Sequence, residues 1–436
     1  MEQLSLLVIF LFVLFLLLGS GVWVGLALMG TAWFILEFYT SSSPMSSLDR
    51  IWTSSKSWTL AALPMFIWMG EILYRSRLSQ DMFRGLAPWM ARLPGGLVHT
   101  NIVGCTIFAA VSGSSAATLT TVGKMSIPEL RKRGYPEYMI IGTLTGAATL
   151  GLMIPPSLTL IVYGVSVEVS ISKLFMAGIL PGLLLALMFM AYVAGWSFVR
   201  KSEVPKIADE MTFGQKIAES RFLIPIVLLI IAVIGSMYAG WATATEAAAI
   251  GVIGSLILAW AQGSLTISTF IESLLGATRT SAMVAFILLG ASALTLAMGF
   301  TGLPRALAEF IEVLELSRFS LLIALMFFYI ILGMFLDGIS SVVLTMAIVQ
   351  PMVEAAGIDL IWFGIFIVVV VEMAQVTPPI GFNLFVMQGM TKHEMGYIAK
   401  TALPMFGIMV LMVFVLIVWP ELATWLPENM RNTPGG

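Results

Sequence analysis

The chain has 436 residues, of which 22 are Lys or Arg and 24 are Asp or Glu, giving a net charge of −2. Charged residues make up 11% and apolar ones 59%, and mean hydropathy is +0.99. Too few charges exist to cover a water-soluble globule, the chain is too apolar for disorder, its single cysteine, Cys105, excludes a disulfide scaffold, and the charge balance leaves no basic footprint for nucleic acid. What remains is an all-α polytopic protein of the lipid bilayer, because the apolar runs are continuous rather than alternating as in barrel strands.

The first apolar run lacks a basic flank and a small-residue cleavage site, so a cleaved signal peptide is not expected. It leads directly into a second run, and Gly19-Ser20-Gly21 splits the two. Spans are expected at roughly 4–18, 21–39, 57–74, 136–165, 174–199, 222–240, 243–262, 279–300, 361–389 and 401–419. Two amphipathic stretches, 75–92 and 303–318, read as arms along the interface. Two further apolar segments, 95–123 and 319–350, lie between spans. The expected organisation has scaffold helices over 1–56 and a first unit over 57–199, with arm 75–92, hairpin 95–123 and broken helix 136–165. A cytoplasmic loop and linking scaffold helices follow over 200–278. A second unit covers 279–419, with arm 303–318, hairpin 319–350 and broken helix 361–389, and a tail covers 420–436.

Orientation follows from the Lys/Arg bias. Placing 75–92, 124–133, 200–221, 263–279 and 390–400 inside puts sixteen of the 22 basic residues there. The other six are Arg50, Lys56, Lys173, Arg305, Arg318 and Arg431. This assignment requires 95–123 to enter and leave on the inside and 319–350 on the outside, as re-entrant hairpins of opposite orientation. A repeat supports it: Pro128 lies 27 residues before Pro155, and Pro351 lies 27 before Pro378. The order helix, arm, hairpin, Pro-Pro-broken helix thus occurs twice with opposite topology. Inverted repeats with broken helices near the midplane are the physical signature of a secondary transporter.

Four polar, helix-breaking stretches fall at membrane depth. They are Ser112–Thr118, Gly151–Ser157, Asp337–Ser341 and Gln375–Asn383. Pro-Pro removes two backbone donors and frees upstream carbonyls, which are costly in hydrocarbon unless buried or lining a polar cavity. Carbonyls and small hydroxyls are hard oxygen ligands suited to a cation such as Na⁺. Hairpin tips also present helix N-termini to anionic groups. A Gly/Ser stretch alone reads as a helix-packing surface, and a lone Pro-Pro as a kink. Recurrence of both in matching order favours a site.

Among the acids, Glu372 lies one turn before the second break, where it either shapes the site, relays a proton or pairs with a neighbouring helix. Asp337, at the second tip, is a ligand or a cap, and Glu246 reads as a first-turn acid. Glu71 and Arg279 are expected to snorkel at span ends. His99 and His393 have no metal-ligand spacing, and Cys105 reads as a small apolar packer. No G-x-S-x-G, H-E-x-x-H, Walker A or G-x-G-x-x-G sequence is present, so neither an enzyme nor an ATP-driven pump is expected.

Five segments, VSGSSAAT (111–118), GLMIPPS (151–157), ATATEAAAIG (242–251), LGMFLDGISS (332–341) and QVTPPIGFNL (375–384), together resemble the large membrane subunit of tripartite ATP-independent periplasmic (TRAP) transporters, the DctM-like permeases. The resemblance covers essentially the whole chain. It implies a sodium-coupled importer of the bacterial inner membrane, supplied by a periplasmic solute-binding protein and completed by a small membrane subunit, here expected as a separate polypeptide. It also implies that a transport domain of hairpins and broken helices moves as an elevator against a scaffold. Carried over by motif, one sodium site would use Ser114 and Ser115 with carbonyls near Met153 and Ile154. A second would use Gly338 with carbonyls near Val376, Thr377 and Pro379. Gly113, Ser157, Ser340, Ser341 and Asn383 are the candidate solute contacts, and Pro155, Pro156 and Pro378 the structural breaks. The implied solutes are small organic acids or compatible solutes. The competing reading is a stand-alone ion-coupled anion carrier or antiporter of the same hairpin architecture. Docking of the binding protein is expected on loop 40–56, arm 303–318 or tail 420–436.

Overall fold

The computed structural model describes residues 2–205, 211–306, 309 and 317–430. Among them there are helices and no β-strand. The chain opens with α1 (Glu2–Gly19), α2 (Val24–Tyr39), α3 (Met45–Ser55), α4 (Ala62–Arg75) and α5 (Leu78–Met90). A pair follows, α6 (His99–Ser112) and α7 (Ser115–Lys132), and then α8 (Glu137–Ala147) and α9 (Leu158–Ser166), which are separated by a 3-10 turn and Pro155-Pro156. Next come α10 (Ile171–Val199), α11 (Phe213–Ser220), α12 (Ile224–Tyr238), α13 (Ala244–Ala261) and α14 (Ile267–Thr301). A second pair, α15 (Arg318–Gly333) and α16 (Gly338–Ala355), precedes α17 (Leu360–Gln375) and α18 (Phe382–Thr391), which Pro378-Pro379 separates. The described chain closes with α19 (Met395–Val418) and α20 (Glu421–Asn429). Both Pro-Pro bonds are cis.

Five described helices are long and apolar enough to cross a bilayer unaided: α10, α13, α14, α16 and α19. That includes α16, which sequence patterning places in a hairpin. α11 and α12 together also qualify, but they bend by 51°. Helices α8 and α9 are shorter, and protein packing covers them: with the 3-10 turn between them they are buried without interruption from residue 139 to 164.

Small residues set the helix spacing, as they do where lipid gives helices no hydrophobic drive to associate. A β-carbon at Gly290 would stand 2.5 Å from the Gly25 carbonyl oxygen, so α2 and α14 meet backbone to backbone. One at Gly142 would stand 2.2 Å from the Thr401 carbonyl oxygen, which brings α8 equally close to α19.

The structure corrects some sequence expectations. The span expected at 279–300 starts at Ile267, where the Thr266 side chain caps the Thr269 amide at 3.1 Å. Arg279 therefore lies inside α14 on an exposed face, not in a loop over 263–279. It failed as a boundary marker because α14, with 35 residues, is longer than a span needs, so a charge inside it marks no helix end. Stretch 40–56 holds the helix α3, and 420–436 holds α20. Most of the arm expected at 303–318 lies outside the described residues, as do Arg431 and the end of the tail.

Candidate functional site

At the first tip, Gly113 ends α6 at φ +61 and Ser114 caps α7. The left-handed glycine lets the chain reverse in two residues. A side chain at Gly113 is also barred sterically, because its β-carbon would stand 2.7 Å from the Pro156 carbonyl oxygen. The Ser114 side chain accepts from the Ala117 amide at 3.4 Å. Its carbonyl accepts from the Thr118 hydroxyl at 2.8 Å, and Thr118 lies 2.8 Å from the Ser112 hydroxyl. The tip sits on the first break: the Leu158 amide donates to the Gly113 carbonyl at 3.3 Å. Ser157 caps α9, and its hydroxyl donates to the Leu152 carbonyl. Helix α10 packs on two of the candidate ligand residues of this half. The Met153 carbonyl points at Gly178 of α10, 2.6 Å from where a β-carbon would stand, and the Ile154 side chain packs on Gly182.

At the second tip, Asp337 is the N-cap of α16 and accepts from the Ile339 and Ser340 amides at 3.1 and 3.3 Å. Gly338 lies against the end of α17: a β-carbon there would be 2.8 Å from Val371 and 3.6 Å from Leu152 of the first break. In the second break, the Thr377 hydroxyl donates to the Met373 carbonyl at 2.6 Å. Gly381, at φ +49, brings the carbonyls of Thr377 and Gln375 within 2.8 and 3.1 Å of a would-be β-carbon. Pro378, Pro379 and Ile380 are exposed.

Asn383 ties the second break to the first tip and to α8. Its side chain accepts from the Ser115 hydroxyl at 2.9 Å, donates back to it at 2.7 Å and donates to the Thr145 carbonyl at 3.4 Å. The structure thus brings Ser115 and Asn383 together and sets Gly338 beside Leu152. Thr118 and Gln375, which bound two of the polar stretches read from the sequence, belong to the same region, and so does Thr145, which was not singled out. Nothing local marked Thr145.

The donor set is hydroxyls, amide oxygens and backbone carbonyls. Among the described residues no three His, Cys, Asp or Glu side chains group as a transition-metal site would need. The oxygens present instead fit a hard alkali cation. Glu372 is fully buried. The neighbouring Thr149 hydroxyl is turned to the Gly146 carbonyl at 2.8 Å. Glu246 forms a capping box with Thr243, and Glu71 pairs with Arg75. The His99 ring lies 2.7 Å from the Pro94 carbonyl oxygen, His393 lies 3.1 Å from Glu137, and Cys105 is buried.

Residues 10–422 match the family model described as tripartite ATP-independent periplasmic transporter, DctM component. The isethionate TRAP transporter permease protein DctMQ of Oleidesulfovibrio alaskensis is 32% identical over 94% of this chain, which spans 64% of that protein. The C4-dicarboxylate TRAP transporter large permease protein DctM of Pseudomonas aeruginosa is 31% identical over 91% of each chain. The crystal structure of the Alcanivorax borkumensis YdaH transporter aligns with a TM-score of 0.63 over 88% of each chain at 13% identity, a likeness of fold alone. With its apolar helices and this match, the chain is a multi-pass membrane permease rather than an enzyme, and it belongs to the DctM component family of TRAP transporters.

Proposed function

We propose that the chain is the large subunit of a sodium-coupled importer in a bacterial inner membrane. A periplasmic binding protein delivers a small organic acid or related solute, and a small membrane subunit completes the translocator. The two tip-and-break units are read as inverted repeats forming a transport domain that moves as an elevator against the remaining helices. One sodium site uses Ser114 and Ser115 with the carbonyls of Met153 and Ile154. The other uses Gly338 with the carbonyls of Val376, Thr377 and Pro379. The solute lies among Gly113, Ser157, Ser340, Ser341 and Asn383. The organic-acid class is supported by relatives named for isethionate and C4-dicarboxylates.

The observation that carries this reading is the Asn383 bridge, which unites the first tip, the first broken helix and the second break in one polar region. A cation and an anionic group bound there share one local environment, as coupling requires. The test is uptake into proteoliposomes holding this chain and its small subunit, with or without a sodium gradient and a binding protein. Uptake should need both. Uptake indifferent to both would replace this reading with the stand-alone carrier.

A further inference from the structure

A cavity of about 830 Å³ lies apart from the Asn383 bridge. It is lined by α3, the α9–α10 connection, the start of α13, the middle of α14 and Val343 and Met346 of α16. Four charged side chains reach it: Arg50, Glu168, Lys173 and Glu246. Both carboxylates are already engaged. Glu246 accepts from the Thr243 amide at 2.8 Å and from its hydroxyl at 2.9 Å. Glu168 accepts from the Arg50 guanidinium at 3.2 Å. Lys173 has no ion-pair partner among the described residues. The first turns of α10 and α13 also border the cavity and add partial positive charge.

Glu168 occupies an unusual position. It follows α9 at φ +57, where the Val169 amide closes on the Gly164 carbonyl at 2.9 Å. Helix ends of this kind favour glycine. Here a glutamate holds its carboxylate on an arginine from another element.

We propose that this cavity is a receiving site for a small carboxylate or sulfonate. The incoming anion displaces Glu168 from Arg50, and Lys173 supplies a second cationic contact. The exchange also releases the tie between α3 and the α9–α10 connection. The inference rests on the transport reading above, in which the anion then passes to the Ser115–Asn383 region.

The test uses the full chain in right-side-out membrane vesicles, with Cys105→Ala as background and a single cysteine introduced as Ser292→Cys or Thr53→Cys. The probes are two methanethiosulfonates of similar size, one ending in a sulfonate and one in a trimethylammonium. The expected result is reaction at both positions. Arg50→Gln should slow the sulfonate reagent by roughly three- to tenfold and speed the cationic one, while Glu168→Gln should do the reverse. Two outcomes overturn the proposal: cysteines that react only after denaturation, or the same change for both reagents in Arg50→Gln. Charge preference without sodium-driven uptake would leave the cavity standing and remove the importer. Uptake without charge preference would remove only the receiving site.

Discussion

The two Pro-Pro breaks are nearly the same sequence device in different surroundings. Pro155 and Pro156 are buried, and α10 lies across the Met153 carbonyl because Gly178 offers no side chain to prevent it, while Gly182 makes room for Ile154. Pro378, Pro379 and Ile380 are exposed, and Ile380 keeps 46% of its surface. The tips differ in the same sense. The first is held by a serine cap and a run of hydroxyls, while the second is held by an aspartate cap beside exposed Phe335. A broken helix at membrane depth thus gains its rigidity from what lies against it, and the proline pair fixes only where the ladder stops.

Substitutions can sharpen that contrast. The largest effect is expected at Gly178→Leu, which drives a side chain into the Met153 carbonyl. Overpacking of this kind costs about 1–3 kcal/mol or more, so thermal unfolding in detergent should fall by several degrees and uptake should be lost. Ile380→Ala, at the open break, should stay within about 0.5 kcal/mol of the parent. Equal effects at the two positions would erase the asymmetry.

Asn383→Ala comes next. It strands the Ser115 hydroxyl and the Thr145 carbonyl at a cost of about 1–3 kcal/mol. A sodium titration of uptake should show a raised half-saturation, whereas a purely structural role would lower maximal uptake alone. Ser114→Ala removes the cap of α7, worth about 1 kcal/mol, and should raise the sodium requirement. Ser340→Ala, which leaves the Asp337 cap in place, should do neither. A similarly small effect is expected for Asp337→Asn, since asparagine caps as well as aspartate. A melting point within a degree of the parent would identify capping as the role of that acid, and a steep fall in sodium-driven uptake would instead make its charge a ligand.

Breaks and tips are legible in the chain because proline lacks a donor and Gly113 must adopt a left-handed turn. Both constraints act within a few residues. Charge gaps locate apolar runs well but helix ends poorly. Arg279 marks no end because α14, with 35 residues, is longer than a span needs, and the end is set by the Thr266 cap. The short polar helix α3 escaped notice for the opposite reason, since it has no apolar run to announce it. The pairing of Asn383 with Thr145 joins residues 238 apart, and Thr145 sits in an unremarkable run of small residues. Glu372, for which a partner on a neighbouring helix was one expectation, is fully buried beside Thr149 of the first broken helix.

The Asn383 bridge also has a consequence for synthesis. Ser115 waits for a partner made 268 residues later, and α8 waits for α19 to fill the space beside Gly142. A nascent chain paused after α10 carries a broken, hydroxyl-bearing segment that α10 covers on one side only, because Asn383 and α19 do not yet exist, and lipid cannot satisfy what stays open. The first unit can enter the membrane early, but it reaches its final form only when the last quarter of the protein has emerged.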